Sequence, residues 1–317
     1  MQPHASLADA FALFQAGRGA DARAIVEHHA AAGDPDALFT LADMYWKGLG
    51  VDQDLPRGRD LFRTAADRGH PMAVRAYTNL LSSGIAGPRD WQQALTRLTE
   101  EAQADGLRER MLSILRAMPI DHNGDPLAVP AFDQLSGEPG VWIFRNAFSD
   151  LECEFLVQLA EPTYERSLVK MDGQDVPDPI RTSDGSTIHW LIEDPASHAI
   201  SRRLAAMSRT AVEQREPLQI LRYRPGQQYH PHSDWLGDSN RRILTALIYL
   251  NDDYEGGETR FVKTGLTVKG RKGDVLLFRN IGRDGGLDPL SEHAGLPVTS
   301  GVKYLASRWI REARHAP

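Results

Sequence analysis

Tyr229-His230-Pro231-His232-Ser233-Asp234 reads as a short extended run whose metal-binding side chains are spaced two apart. In a strand, residues i and i+2 point to the same face, so His232 and Asp234 project together and can share one ion. His230 lies on the same face of an ideal strand and is a rival ligand. A third ligand has to come from elsewhere. His293, in Ser291-Glu292-His293-Ala294-Gly295, lies 61 residues beyond His232 and just before the last extended run. Around these segments the sequence is built of short β-rich runs at 219–223, 244–250, 259–262, 275–278 and 304–310, separated by Gly and Asp clusters. That pattern predicts an antiparallel sandwich or barrel. Upstream, 141–144 reads as a strand. Ser149 is placed to cap a helix carrying Leu151, Phe155, Leu156 and Leu159, and a second helix is expected near 196–213.

The first third of the chain has a different periodicity. Ala37 and Ala73, Gly48 and Gly84, and Asp54 and Asp90 are each 36 residues apart. Leu38, Leu41 and Tyr45 fall at helical spacing before Gly48, as do Leu61, Phe62, Ala65 and Ala66 before Gly69. Each unit is expected to be a helix pair, with glycine at the turns because it reaches positive φ without a Cβ clash. Gly17 and Gly33 mark a shorter, earlier copy. Repeats of this period bury their apolar faces by stacking, which predicts an α-solenoid. The segment from Ala37-Leu38-Phe39 through Leu49-Gly50-Val51, followed by Ala65-Ala66-Asp67-Arg68-Gly69, resembles the Sel-one-like repeat, a relative of the tetratricopeptide repeat. That resemblance implies a protein-interaction surface.

Between the two patterns, residues 119–139 hold Pro119, Gly124, Pro126, Pro130, Gly137 and Pro139, too many breakers for a helix or strand. The expected division is therefore a solenoid at 1–118, a linker at 119–139 and a β-rich domain at 140–317. A length of 317 residues gives both domains a full core. Apolar residues at 41% and charged residues at 25% are ordinary for a soluble chain. The net charge is −7, and each of the three parts is acidic on balance, which argues against a nucleic-acid partner. No apolar run approaches the ~20 residues that span a bilayer, so no membrane partner is expected. A single cysteine, Cys153, forms no internal disulfide, and a reducing, cytoplasmic location is the expectation.

Two histidines and a carboxylate on a closed β-scaffold form the facial triad of non-haem Fe(II) oxygenases. Three protein ligands leave three positions of an octahedral ion, two for a chelating 2-oxo acid and one for oxygen. Such a dianionic cosubstrate needs a cation. Lys303, ten residues after His293, opens Lys303-Tyr304-Leu305-Ala306-Ser307-Arg308-Trp309, where a strand can aim its ammonium inward at a carboxylate. Paired it is sensible, whereas unpaired burial is costly. Tyr249 can offer its hydroxyl to the same carboxylate.

Five segments then occur in a telling order: Arg181-Thr182-Ser183-Asp184-Gly185, Gly226-Gln227-Gln228-Tyr229-His230-Pro231-His232-Ser233-Asp234, Gly256-Gly257-Glu258-Thr259-Arg260-Phe261, Lys272-Gly273-Asp274, and His293 to Lys303 and Trp309. Over about 141–313 they resemble the catalytic domain of the prolyl 4-hydroxylases. The resemblance implies a double-stranded β-helix (jelly roll), giving an α+β two-domain chain. It also implies Fe(II), 2-oxoglutarate and O₂, with ascorbate restoring the iron after uncoupled turnover. The implied reaction is hydroxylation of an unactivated C–H, first of all in a prolyl residue of a peptide or protein, coupled to decarboxylation of 2-oxoglutarate to succinate and CO₂. Carried over residue by residue, His232, Asp234 and His293 fall on the iron ligands and Lys303 on the group that binds the distal carboxylate. Tyr249 falls on a helper tyrosine, and Tyr223 is a further candidate for that pocket. Arg181, Ser183, Tyr229 and Trp309 fall on the substrate side. The loops at 173–179 and 282–289 match nothing in the motif set. Two other readings stand beside this one: a hydroxylase of a free amino acid or other small molecule, and a repeat-based interaction protein whose second domain senses 2-oxoglutarate or oxygen. In the prolyl-hydroxylase reading, the repeats recruit a protein substrate.

Overall fold

The structure is a computed structural model that describes residues 5–171, 174–177 and 179–317. The chain divides into two compact units. One contains the residues up to Ser113 together with Trp190–His198; the other contains Ile114–His189 and Ala199–Ala316. No helix among the described residues is long and apolar enough to cross a membrane.

The first unit is helical: α1 (Leu7–Gln15), α2 (Gly19–Ala31), α3 (Pro35–Lys47), α4 (Leu55–Asp67), α5 (Pro71–Ser83), α6 (Trp91–Glu101) and α7 (Gly106–Ala117), the last crossing the boundary at Ser113. The 36-residue offset recurs in the structure, because α3 and α5 start 36 apart, as do α4 and α6. Their ends are closed alike. Asp54 and Asp90 cap α4 and α6 by accepting the backbone N–H of Arg57 and Gln93. Gly48 and Gly84 leave α3 and α5 at φ +71°, a conformation that strains any other residue. Ala37, Ala42, Phe62 and Leu80 form the buried core. Trp190 and Leu191 pack against it, although they come from far along the chain, and Asn79 Nδ2 donates to the Leu191 carbonyl at 2.9 Å. A contiguous first domain ending at residue 118 therefore omits a segment that the helical core uses.

The second unit is an antiparallel sandwich. In chain order its strands are β1 (Phe132–Ser136), β2 (Val141–Phe144), β3 (Glu165–Arg166), β4 (Leu168–Met171), β5 (Gln174–Pro177), β6 (Asp184–Ile188), β7 (Leu218–Tyr223), β8 (Tyr229–His232), β9 (Arg242–Tyr249), β10 (Glu255–Gly256), β11 (Thr259–Phe261), β12 (Thr267–Val268), β13 (Val275–Arg279), β14 (His293–Gly295), β15 (Val298–Ser300) and β16 (Lys303–Arg311). The larger sheet runs β1-β2-β13-β9-β16-β7-β6-β3 and the smaller β12-β11-β14-β8. Alternation turns Leu221, Leu247, Leu276, Phe278 and Leu305 of the larger sheet inward, where they meet Phe261 and Val268 of the smaller. Phe261 and Phe278 stand edge to face with ring centres 5.2 Å apart. This two-sheet packing is the expected jelly roll. Helix α8 (Asp150–Ala160), begun by the Ser149–Glu152 capping box, touches β6 and β7.

Three local expectations change. The segment 119–139 is not all linker, because Phe132–Ser136 forms β1 and pairs with β2. Three of its five residues are exposed, so this edge strand lacks the apolar alternation that would have announced it. Helix α9 (Pro195–Ser208) stops short of residue 213, where Arg209 turns left-handed at φ +55°. Of the loop expected at 173–179, Gln174–Pro177 is strand β5 paired with β4; Gly173 and Asp178 lie outside the described residues.

Candidate active site

His232, Asp234 and His293 converge, each offering one ligand atom within 4.8 Å of the others. Strands β8 and β14 set this up by pairing His232 directly with His293. The register then slips, so that Gly295 faces Tyr229. This bulge puts Tyr229 and His232, three residues apart, on the same side. His230 is left exposed, which settles its rivalry with His232.

Both imidazoles are locked in the tautomer that a metal needs. His232 Nδ1 donates to the His230 carbonyl at 2.8 Å and His293 Nδ1 to the Ser291 carbonyl at 3.0 Å. A carbonyl only accepts, so each Nε2 keeps its lone pair. These nitrogens stand 3.7 and 3.8 Å from Asp234 Oδ1 and Oδ2. Burial, aided by the neighbouring His293, holds the His232 imidazolium well below its usual range, which favours the neutral, metal-binding form. Burial alone would raise the Asp234 carboxyl. The adjacent His293 and His232 and the Thr245 hydroxyl outweigh it and keep the carboxyl ionised below its ordinary value.

From this triad a cavity runs to Lys303. Residues 303, 305, 307 and 309 of β16 all line it, as alternation requires, together with Leu221 and Tyr223 of β7 and Leu247 of β9. Lys303 sits opposite Tyr223 in the ladder and is 3% exposed. Its Nζ donates to the Gly257 carbonyl at 2.7 Å, and no described carboxylate lies within ion-pair distance. Desolvation pulls the ammonium down from 10.5 to about 8, against a weak opposing pull from Glu258.

The remaining candidates separate. Tyr229 lines the cavity and stacks on His232 at 3.4 Å. Arg181 lines it as well, bridged to Tyr229 through the backbone and held by Gln219 Oε1 at 3.0 Å. Trp309 forms a wall, with the Arg242 guanidinium 4.0 Å from its ring centre. Glu216 fixes that guanidinium through contacts of 2.7 and 2.8 Å. Ser183 does not reach the cavity. The chain bends there before β6, and the fully buried hydroxyl lies 3.4 Å from that of Ser167. Tyr249 is likewise absent from the lining. Its hydroxyl lies 3.3 Å from that of Thr259, which lines the cavity itself. Sequence reasoning gave Thr259 no role, although it stands inside the Gly256–Phe261 motif. Ser307 was reachable by alternation from Lys303, four residues along the same strand.

The residues fit a ferrous ion and a dicarboxylate. The donor set is two imidazoles with fixed tautomers and one ionised carboxylate, and a buried ammonium with no described carboxylate in ion-pair reach stands at the other end of the same cavity. His232, Asp234 and His293 would hold the iron, Lys303 the distal carboxylate of 2-oxoglutarate. The bound metal and cosubstrate supply the activation of O₂. The protein supplies orientation, charge and exclusion of water.

The sequence is similar to known oxygenases. The sequence profile of the 2OG-Fe(II) oxygenase superfamily matches residues 218–311. Prolyl 4-hydroxylase 1 of Arabidopsis thaliana is 36% identical over 200 residues, covering 56% of this chain and 71% of that protein. Probable prolyl 4-hydroxylase 8 of the same plant is 33% identical over 217 residues, covering 60% and 73%. Among solved structures, the viral collagen prolyl hydroxylase of Paramecium Bursaria Chlorella virus-1 in its 2OG complex aligns at 26% identity and TM-score 0.42, over 55% of this chain and 96% of that one. With the metal triad, the buried lysine and this shared sequence in place, the chain belongs to the prolyl 4-hydroxylase family of Fe(II)- and 2-oxoglutarate-dependent dioxygenases.

Proposed function

We propose that this enzyme hydroxylates a prolyl residue in a peptide or protein. The reaction takes one C–H, one O₂ and one 2-oxoglutarate to C–OH, succinate and CO₂. The observation that carries the substrate class is the set of relatives at 33–36% identity named as prolyl 4-hydroxylases. The complete carboxylate-bearing triad and its lysine support the chemistry. In this reading Lys303 orients 2-oxoglutarate, while Arg181, Tyr229 and Trp309 border the side from which the peptide approaches. Ascorbate serves to rescue iron after turnover without substrate, and the helical unit recruits the protein that carries the proline.

Incubation of the full chain with Fe(II), 2-oxoglutarate and a panel of proline-containing peptides tests this. A +16 Da product on proline, matched mole for mole by succinate, is expected, and Asp234→Ala should abolish both. Free proline as the better substrate would replace the peptide reading with the small-molecule one. Succinate formation that no candidate substrate stimulates would favour the sensing role.

A further inference from the structure

Asp234 has two carboxylate oxygens, and the fold gives them different neighbours. Thr245 Oγ1 donates to Oδ2 at 2.6 Å; Oδ2 also lies 3.8 Å from His293 Nε2 and Oδ1 lies 3.7 Å from His232 Nε2. Both oxygens thus face the ligand histidines but the threonine hydroxyl engages Oδ2, and the Trp309 side chain also helps keep the carboxylate ionised. The threonine is set from behind in turn, because Asn280 Nδ2 donates to Thr245 Oγ1 at 2.9 Å. All three side chains are buried, at 4%, 1% and 0% exposure. Neither Thr245 nor Asn280 lines the cavity.

The direction of these bonds follows from counting protons. A hydroxyl has one, and an ionised carboxylate only accepts. With the Asn280 amide N–H on its oxygen, Thr245 has its proton free for Asp234. The reversed amide would draw that proton to Asn280 and leave two oxygen lone pairs opposed at 2.6 Å. The backbone holds every member in place. Thr245 pairs with Phe278 of β13 on one side and Trp309 of β16 on the other. Asn280 N donates to the Ile243 carbonyl, and the Asn280 carbonyl accepts from Asp288 N, both at 3.0 Å.

We propose that Thr245 and Asn280 act as a relay that keeps Asp234 a one-oxygen ligand. A carboxylate binding through both oxygens would occupy two metal positions. A short hydrogen bond on Oδ2 reserves that oxygen and leaves Oδ1 for the ion. Three positions then remain, which two-point binding of 2-oxoglutarate plus O₂ requires. Both are positioning residues, acting through Asp234 without touching metal or substrate. The relay rests on the iron assignment, and the experiment separates the two.

The full-length apoprotein is titrated anaerobically with Co(II), whose visible bands report coordination number, and then with Fe(II) in competition. Four proteins are compared: wild type, Thr245→Val (same shape, no hydroxyl), Thr245→Ser (hydroxyl restored) and Asn280→Leu. Wild type should bind Co(II) with the weak bands of a six-coordinate ion. Thr245→Val should bind about 10–100-fold more weakly with altered bands, the usual cost of losing a group that orients a ligand. Thr245→Ser should stay within about threefold of wild type, and Asn280→Leu should fall between. Wild-type affinity and an unchanged spectrum in Thr245→Val would overturn the relay. So would a Thr245→Ser protein that is folded by circular dichroism yet as weak as Thr245→Val. If Thr245→Val fails to fold, the comparison of wild type, Thr245→Ser and Asn280→Leu decides; an Asn280→Leu protein identical to wild type then overturns it. Failure of wild type to bind Co(II) or Fe(II) would overturn the iron assignment along with the relay.

Discussion

Replacing Lys303 with methionine should stabilise the protein free of metal and cosubstrate while abolishing its response to 2-oxoglutarate. Burial without a counter-ion draws the ammonium from 10.5 to about 8. At about 1.4 kcal/mol for each tenfold loss of proton affinity, the charged form weakens the fold by about 3 kcal/mol. The sign runs opposite to that of an ion-paired lysine. The cost is full below pH 8, where the side chain is charged both folded and unfolded. It fades as pH rises from 8 to 10.5, where only the unfolded chain still binds the proton. Methionine fills a similar volume without charge. It forgoes the bond to the Gly257 carbonyl, worth about 1 kcal/mol, which leaves a net gain of about 2 kcal/mol at pH 7, or about 4–8 °C in melting temperature. Thermal melts of both proteins at pH 7, with and without metal and saturating 2-oxoglutarate, measure it. Cosubstrate at a hundred times its Kd should add about 2.7 kcal/mol to wild type and nothing to the variant. A lower melting temperature for the metal-free variant would show that Lys303 is not a net cost to the fold, and an equal gain from 2-oxoglutarate in both proteins would show that Lys303 does not bind it.

The same lysine predicts a pH dependence. Because the carboxylate needs the ammonium, the Kd for 2-oxoglutarate should be flat below pH 8 and rise about tenfold per pH unit above it; a flat profile from pH 7 to 9.5 would sink the assignment. Gly257→Ala should weaken 2-oxoglutarate binding and cost about 1–2 kcal/mol of stability. Gly257 sits at φ +69°, and an added Cβ would lie 3.1 Å from both Lys303 Cδ and Tyr254 Cε2. Denaturant unfolding and cosubstrate titration read the two effects, and unchanged 2-oxoglutarate affinity would count against it. Removing residues 1–118 should not yield a well-behaved oxygenase, because Trp190 and Leu191 would lose the helical core they pack on. A monodisperse truncated protein with full decarboxylase activity in gel filtration and turnover assays would contradict this.

Much of the site was legible because strand geometry is local. His232 and Lys303 stand on strands where the sequence put them, Asp234 was found by its spacing from His232 although β8 ends at His232, Trp309 came from the family resemblance, and the helical period follows from glycine and aspartate caps 36 residues apart. What stayed hidden depends on neighbours. An ideal strand makes His230 and His232 equivalent; the bulge between β8 and β14 breaks the tie. Ser183 belongs to a plausible motif, yet one bend turns it into the core. Tyr249 has the right chemistry, but Gly270 lies against its ring and Thr259 takes the place beside the cavity. Phe132–Ser136 hid among prolines because an exposed edge strand carries little pattern of its own.

By itself the sequence determined the two periodicities, 36 residues in the first third and two along each strand, and through them the chemical identity of the metal ligands and the lysine. These are properties of the chain over a few residues, set by helix caps and strand pleat. Only the tertiary structure decided that Trp190–His198 completes the helical core, that His293 meets His232, and that Asn280 reaches Asp234 through Thr245. Those pairings join residues tens to more than a hundred positions apart. They come from strand pairing and packing between segments distant in sequence, which no local pattern encodes.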